Sequence, residues 1–310
     1  MRGSFTRTLI EIAERDPRIM LLTADLGYMV LEPFSERFPD RFVNVGVAEQ
    51  NMVGMAVGLA DAGFIPFVYS IVTFAALRPY EFIRNGPILQ RLPVRIIGVG
   101  GGMDYPFDGA SHYGLEDVGV MRIQPGISIA APADFAQARS ALLATWDMPG
   151  PVYYRLGKDD KTLVPGLNGE FELGRCQVVR EGSDVLFVSM GSIAGEVVVA
   201  ADKLRERGVS ATVAIVASVA PPPVDDLIAL LSKHTLALTV ENHYTVGGVG
   251  SMVSEIAAEN ALPCRVLRCG ISKMPDGTTG SLDYVQDLHG ISADKLADRA
   301  FLALSESKGS

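Results

Sequence analysis

The stretch RFVNVGVAEQNMVGMAVGLADAG, residues 41–63, changes character in its middle. Phe42 to Val47 has the length and apolar content of a short buried strand, and Met52 to Ala60 reads as a buried helix that Gly63 stops. Gly54, Ala56, Gly58 and Ala60 leave one side of that helix almost without side-chain bulk, so another backbone can approach it closely, within the subunit or between subunits. A carboxylate, Glu49, stands between strand and helix. Buried without a partner it would be costly. It either caps the helix, where the helix dipole favours negative charge, or does chemistry, and the stretch alone leaves both open.

The same switch from strand to helix recurs along the chain, as in an α/β fold with a mainly parallel sheet. Strands are predicted at Ile19–Thr23, Phe42–Val47, Ile65–Tyr69, Val94–Val99, Ser128–Ala130 and Val152–Tyr154, with helices between them that include Ala75–Asn85 and Phe135–Trp146. A polar, turn-rich segment, GKDDKTLVPGLNGEFELG at 157–174, marks a domain boundary. The expected domains are 1–165 and 166–310, each a mainly parallel sheet flanked by helices. The second opens on a strand, a Gly-Ser turn and a helix (184–208), continues with the strands ATVAIVAS and LALTVEN, and then feeds a glycine-rich turn, HYTVGGVGS, into a helix. The glycine spacing there is not that of a dinucleotide fingerprint. Packing and association are the expected roles of this half.

A chain of 310 residues, 48% of them hydrophobic, can fill two cores of ordinary size. A net charge of -9 argues against nucleic acid as a partner. Cys176, Cys264 and Cys269 form no CxxC pair, so neither a zinc site nor a disulfide framework is expected, which fits a reducing compartment. Phe5, Leu9, Ile12 and Ala13 recur at helical spacing near the N-terminus, unlike the unbroken apolar run of a signal peptide, and no run approaches the length of a membrane span. A soluble cytoplasmic protein is the expectation.

The stretch IIGVGGGMDYPFDGASHYGLEDVGVMR, residues 96–122, offers the clearest chemistry. A strand ends among Gly98, Gly100, Gly101 and Gly102, and the loop beyond carries Asp108 and His112. Loops at the C-terminal ends of parallel strands are where α/β proteins bind ligands, and glycines let a backbone approach them. One of only four histidines in such a loop suits proton transfer. The residues equally allow an Asp-Gly turn followed by a helix-capping His.

Four stretches in order, GVAEQNMVGMAVGLADAG (46–63), FAALRPYEFIRN (74–85), DGASHYGLEDVGVMR (108–122) and VYYRLGK (152–158), resemble the C-terminal half of transketolases, above all the separate C-terminal subunit of split transketolases. The likeness extends to ADL (24–26) and VENHYTVGGVGS (240–251), and so covers nearly the whole chain. It implies a pyrimidine-binding domain for thiamine diphosphate followed by the family's C-terminal domain. It implies that Glu49 hydrogen-bonds N1' of the aminopyrimidine ring, favouring the imino form whose nitrogen takes the proton from thiazolium C2. That task asks for a carboxyl able to hold or share a proton, and Val47, Ala48 and Met52 around it suggest a dry setting. Phe74 falls where the family stacks an aromatic on the pyrimidine. Ile71 and Leu77 fall at two more cofactor-pocket positions, usually aromatic, and Asp25 at a position near cofactor and subunit interface. Asp108 and His112 match the pair that meets the sugar near its C2 hydroxyl and carbonyl, and Arg155 an arginine that holds the substrate phosphate.

Two departures shape the expectation. Gly100 stands where transketolases usually place a second phosphate-binding His, so the distal end of the sugar is recognised differently. The GDG motif that holds the diphosphate through Mg2+ or another divalent metal occurs nowhere in the chain. An N-terminal diphosphate-binding subunit is therefore the implied partner, supplying the metal site, in an α2β2 assembly that acts on sugars or sugar phosphates. The rival readings are the beta subunit of a 2-oxoacid dehydrogenase, which DGASH disfavours, and a non-catalytic assembly subunit, which retention of Glu49, Asp108 and His112 disfavours.

Overall fold

The computed structural model describes residues 1–308. The first half runs α1 (Arg2–Arg15), β1 (Ile19–Thr23), α2 (Glu32–Arg37), β2 (Phe42–Asn44), α3 (Glu49–Asp61), β3 (Ile65–Ile71), α4 (Val72–Leu77), α5 (Tyr80–Ile83), β4 (Arg95–Val99), α6 (Asp117–Arg122), β5 (Ser128–Ala130), α7 (Phe135–Thr145) and β6 (Val152–Leu156). The second runs β7 (Gln177–Arg180), β8 (Val185–Met190), α8 (Ala194–Glu206), β9 (Ala211–Ile215), β10 (Ser218–Ala220), α9 (Val224–Leu231), β11 (Leu236–Tyr244), α10 (Val249–Glu259), β12 (Arg265–Ile271), α11 (Leu282–Leu288) and α12 (Ala293–Lys308).

Two sheets result, ordered β10-β5-β6-β4-β3-β1-β2 and β12-β11-β8-β9-β7. The central strands are continuous apolar runs such as IPFVYSI in β3, buried at every position, because helices cover both faces of a parallel sheet. Among the described residues only β10 and β7 run antiparallel to their neighbours. Strand β10 comes from the second half yet closes the edge of the first sheet beside β5. The halves also share a core: Met52, Ile96 and Tyr153 of the first pack in one cluster with Leu186, Val188 and Met252 of the second. The polar segment after β6 is no loose tether, since Asp160 takes the Met1 ammonium at 2.8 Å and Val164 N–H donates to Asp134.

Three expectations need correction. Strand β2 stops at Asn44 and is half-exposed, because it is the edge strand; Gly46, at φ +73°, then turns the chain into α3. Val47 is 71% exposed, so the dry setting expected around Glu49 comes from Met52 and not from Val47. The single helix expected at Ala75–Asn85 is broken, because Pro79 has no N–H to carry the helix on, and a π-helical turn, Arg84–Ile88, containing Pro87 follows α5. Among the described residues no helix is long and apolar enough to cross a membrane.

Candidate active site

The strand-to-helix turn explains where Glu49 goes. Ala48 leaves the chain non-helical at φ -148°, and Glu49 opens α3 with its side chain directed inward. Among the described residues its carboxylate accepts no hydrogen bond from the backbone of its own helix, and its partners lie on other elements. At 2% exposure it accepts from Ser70 Oγ at 3.1 Å, near the end of β3. Arg78 Nη1 reaches both its oxygens, at 3.1 Å and 2.9 Å. A buried carboxylate is thereby satisfied by a hydroxyl and a cation.

Phe74 lies one helical turn before Arg78 on α4, and the Arg78 guanidinium carbon sits 3.9 Å above its ring centroid. His112 meets the same ring edge-on, with centroids 5.2 Å apart. Glu49, Phe74, Arg78 and His112 therefore form one half-open cluster at the C-terminal end of the first sheet. The His112 loop is pinched shut by reciprocal 2.8 Å bonds between Gly102 and Gly114, which hold its ends together. Ser111 Oγ lies 3.0 Å from His112 Nδ1. Asp108 closes the preceding turn, its N–H donating to the Tyr105 carbonyl, and is exposed, with no hydrogen-bond partner for its carboxylate among the described residues.

Arg155 is held largely by its own chain. Its side chain is 3% exposed, with Nε 2.9 Å from Asp117 Oδ2 and Nη2 donating to the carbonyls of Gly114 and Asn242. Burial works against its charge, and Asp117 with Tyr153 more than restores it, so the pKa is raised. These bonds engage Nε and Nη2 of the guanidinium. It ties β6 to the closed end of the His112 loop and to β11.

The loop glycines likewise make room for the protein rather than for a ligand. A Cβ at Gly101 would come within 2.7 Å of the Arg155 guanidinium, and one at Gly98 within 2.7 Å of the Tyr153 hydroxyl. A Cβ at Gly100, φ +80°, would strike the ring of Tyr105. Tyr105 thus fills the space above Gly100, its centroid 6.3 Å from that of His112 and Lys158 Nζ 4.2 Å over its own face.

The remaining expected positions are spread around the cluster. Ile71, 8% exposed, ends β3, and Leu77, 38% exposed, ends α4. Asp25, at φ +56°, exchanges two 3.0 Å bonds with Asn44 at the sheet edge and lines a shallow cavity of about 200 Å³. Sequence reasoning missed Ser70 and Arg78. The spacing of Arg78, four residues after Phe74 on a helix, was the available signal. Among the described residues no cluster of His, Cys, Asp and Glu could hold a metal.

Family models match almost end to end: the transketolase pyrimidine binding domain over residues 1–162 and the transketolase C-terminal domain over 174–296. The chain belongs to the transketolase family. It is 34% identical to the 6-deoxy-6-sulfo-D-fructose transketolase subunit of Clostridium sp. (strain MSTE9), over 97% of this chain and 93% of that one. It is 35% identical to an apulose-4-phosphate transketolase subunit of Phocaeicola vulgatus, over 86% of each chain. Among solved structures, a split gene transketolase described as an inactive beta4 tetramer superimposes with TM-score 0.89 at 33% identity, covering 98% of both chains. This transketolase-family chain thus has the extent of a separate subunit.

Proposed function

We propose that the chain is the pyrimidine-domain subunit of a split transketolase, moving a two-carbon ketol unit from a ketose or ketose phosphate to an aldose or aldose phosphate. One observation carries this reading: the buried carboxylate of Glu49 and the face of Phe74 meet the same planar group, the Arg78 guanidinium, with His112 at the ring's edge. The residues fit the aminopyrimidine of thiamine diphosphate, because this corner already accommodates a flat N–H donor stacked on Phe74 and bonded to Glu49. Bound there, the cofactor supplies the nucleophilic carbon for which no side chain substitutes.

The chain's own residues then divide the work. Phe74 offers a flat apolar face that orients the ring. Glu49 holds or shares a proton at the ring nitrogen, and Ser70 fixes the carboxylate from behind. Ile71 and Leu77 border the ring as aliphatic wall. His112 donates to the oxygen that gains charge on the sugar, and the exposed carboxylate of Asp108 accepts from a hydroxyl. Asp25 lies toward the cofactor and the interface with the partner.

The partner, an N-terminal diphosphate-binding subunit with the missing GDG motif, holds Mg2+ or another divalent metal. The working assembly is an α2β2 heterotetramer in the cytoplasm. Purified chain, partner and their mixture should be assayed for ketol transfer from a panel of ketose phosphates, 6-deoxy-6-sulfo-D-fructose and a 2-oxo acid. Transfer by the mixture alone is expected, with no turnover of the 2-oxo acid. Activity on the 2-oxo acid and none on any ketose would overturn the reading.

A further inference from the structure

Arg78 occupies the place that the proposed function assigns to the cofactor ring. Its guanidinium carbon lies 3.9 Å over the Phe74 centroid while Nη1 bonds both oxygens of Glu49. We propose that Arg78 is a built-in surrogate for the aminopyrimidine, closing the site of the free chain until the ring displaces it. The proposal rests on the reading that Phe74 and Glu49 receive the pyrimidine.

The chemistry of the two groups is parallel. A guanidinium is planar and delocalised, stacks on aromatic faces and presents N–H donors along its edge. An aminopyrimidine stacks on the same face and turns the same kind of edge toward a carboxylate. One surface therefore serves either group, and not both at once. Glu49 needs the exchange: it is buried, and with only Ser70 for company its charge would be poorly compensated. Arg78 satisfies it while the ring is absent.

The mobility lies on the Arg78 side. Its side chain is 44% exposed against 1% for Glu49, so the guanidinium can withdraw into water while the carboxylate stays fixed. Arg78 also sits between Leu77, the last residue of α4, and Pro79, where the helical hydrogen bonding is interrupted. Because the closed form has to open first, apparent cofactor affinity is the intrinsic affinity reduced by the open fraction. Loss of Arg78 should remove that reduction.

The test uses the chain assembled with its partner, with thiamine diphosphate and Mg2+ titrated in a calorimeter. Wild type is compared with Arg78→Met, which keeps the stem but no planar donor, and with Arg78→Lys, which keeps charge without the flat edge. Arg78→Met should bind the cofactor more tightly, by roughly fivefold or more if the closed form dominates, while the partner-free variant melts at a lower temperature. Arg78→Lys should fall between Arg78→Met and wild type in affinity, and it decides the matter if Arg78→Met fails to fold. Affinity unchanged or weaker in whichever folded variant is measured would overturn the surrogate role and leave the proposed function standing. A wild-type assembly that binds no thiamine diphosphate would overturn both.

Discussion

Glu49 shows how much a single side chain depends on what meets it. Its carboxylate is neutralised by Arg78 and anchored by Ser70, so shape and charge can be separated by substitution. Glu49→Gln keeps the outline and a donor-acceptor pair but cannot share a proton with the ring nitrogen in the same way. Turnover of the reconstituted enzyme should therefore be lost while assembly, read by sedimentation, persists; retained turnover would return Glu49 to a packing role. Asp108→Ala and His112→Ala should lower ketol transfer by about a hundredfold or more, the scale of a lost acid-base group, with cofactor affinity little changed. Equal losses of affinity would place both residues against the cofactor instead. These residues stood out through the resemblance; their types and spacing alone left a capping carboxylate and a capping His equally open. The pairing of Arg155 with Asp117 was not legible, because paired N–H donors suit a phosphate and a buried Asp equally well.

At the scale of elements, α3 has two unlike faces. Met52, Val53, Ala56 and Ala60 are buried against the sheet, whereas Gly54, Met55 and Gly58 face outward. Among the described residues, and apart from the neighbouring backbone of α3 itself, nothing lies within 4 Å of a Cβ built on Gly58, and only the Phe82 ring, at 3.8 Å, approaches one on Gly54. Gly58→Leu should leave the isolated chain as stable as before or slightly more so, since leaving Gly in a helix interior gains up to about 1 kcal/mol. The same substitution should weaken self-association by roughly 1–3 kcal/mol if this face meets another backbone. Mass photometry across a dilution series checks it, and an unshifted dissociation constant would show that the face is simply solvated. The small residues of α3 were plain in the sequence, but which way they faced was not, because helical spacing alone does not say which stripe meets the sheet.

At the scale of the molecule, Arg155 of the first half donates to the Asn242 carbonyl of the second, next to a buried carboxyl whose charge is sensitive to pH. Glu241, in β11, accepts from Val249 N–H and Gly250 N–H, both at 2.9 Å, and so caps α10 from inside the core. Burial pushes its pKa from 4.5 to about 7, against the pull of those two donors and of Arg155 and Arg268. A carboxyl raised in this way favours the folded state most when protonated in both states. Its contribution is full below its unfolded value of 4.5 and is lost as pH rises through about 7. His243, with Nδ1 3.7 Å from Glu241, has a pKa lowered by burial, so its own contribution runs the other way, rising with pH up to its unfolded value of 6.5 and offsetting part of the Glu241 loss. Between about pH 5 and pH 8 the denaturant midpoint of the wild type should therefore fall relative to that of Glu241→Gln, in which this group does not titrate. An equal slope in both proteins would assign any pH dependence to other groups.

The sequence by itself determined the alternation of strands and helices, because runs such as Phe67–Ile71 can only be buried on both faces, and the chemical types gathered at strand ends. It also determined the absence of a GDG motif, since a missing motif needs no fold to be read. The tertiary structure decided what each group touches. It put β10 of the second half on the first sheet, spent Arg155 on Asp117, turned the loop glycines toward Tyr153, Tyr105 and Asn242, and laid Arg78 across Phe74 onto Glu49. Those contacts join residues far apart in the chain or on broken helices. They follow from packing and from the need to satisfy buried charge, and local sequence periodicity carries no record of either.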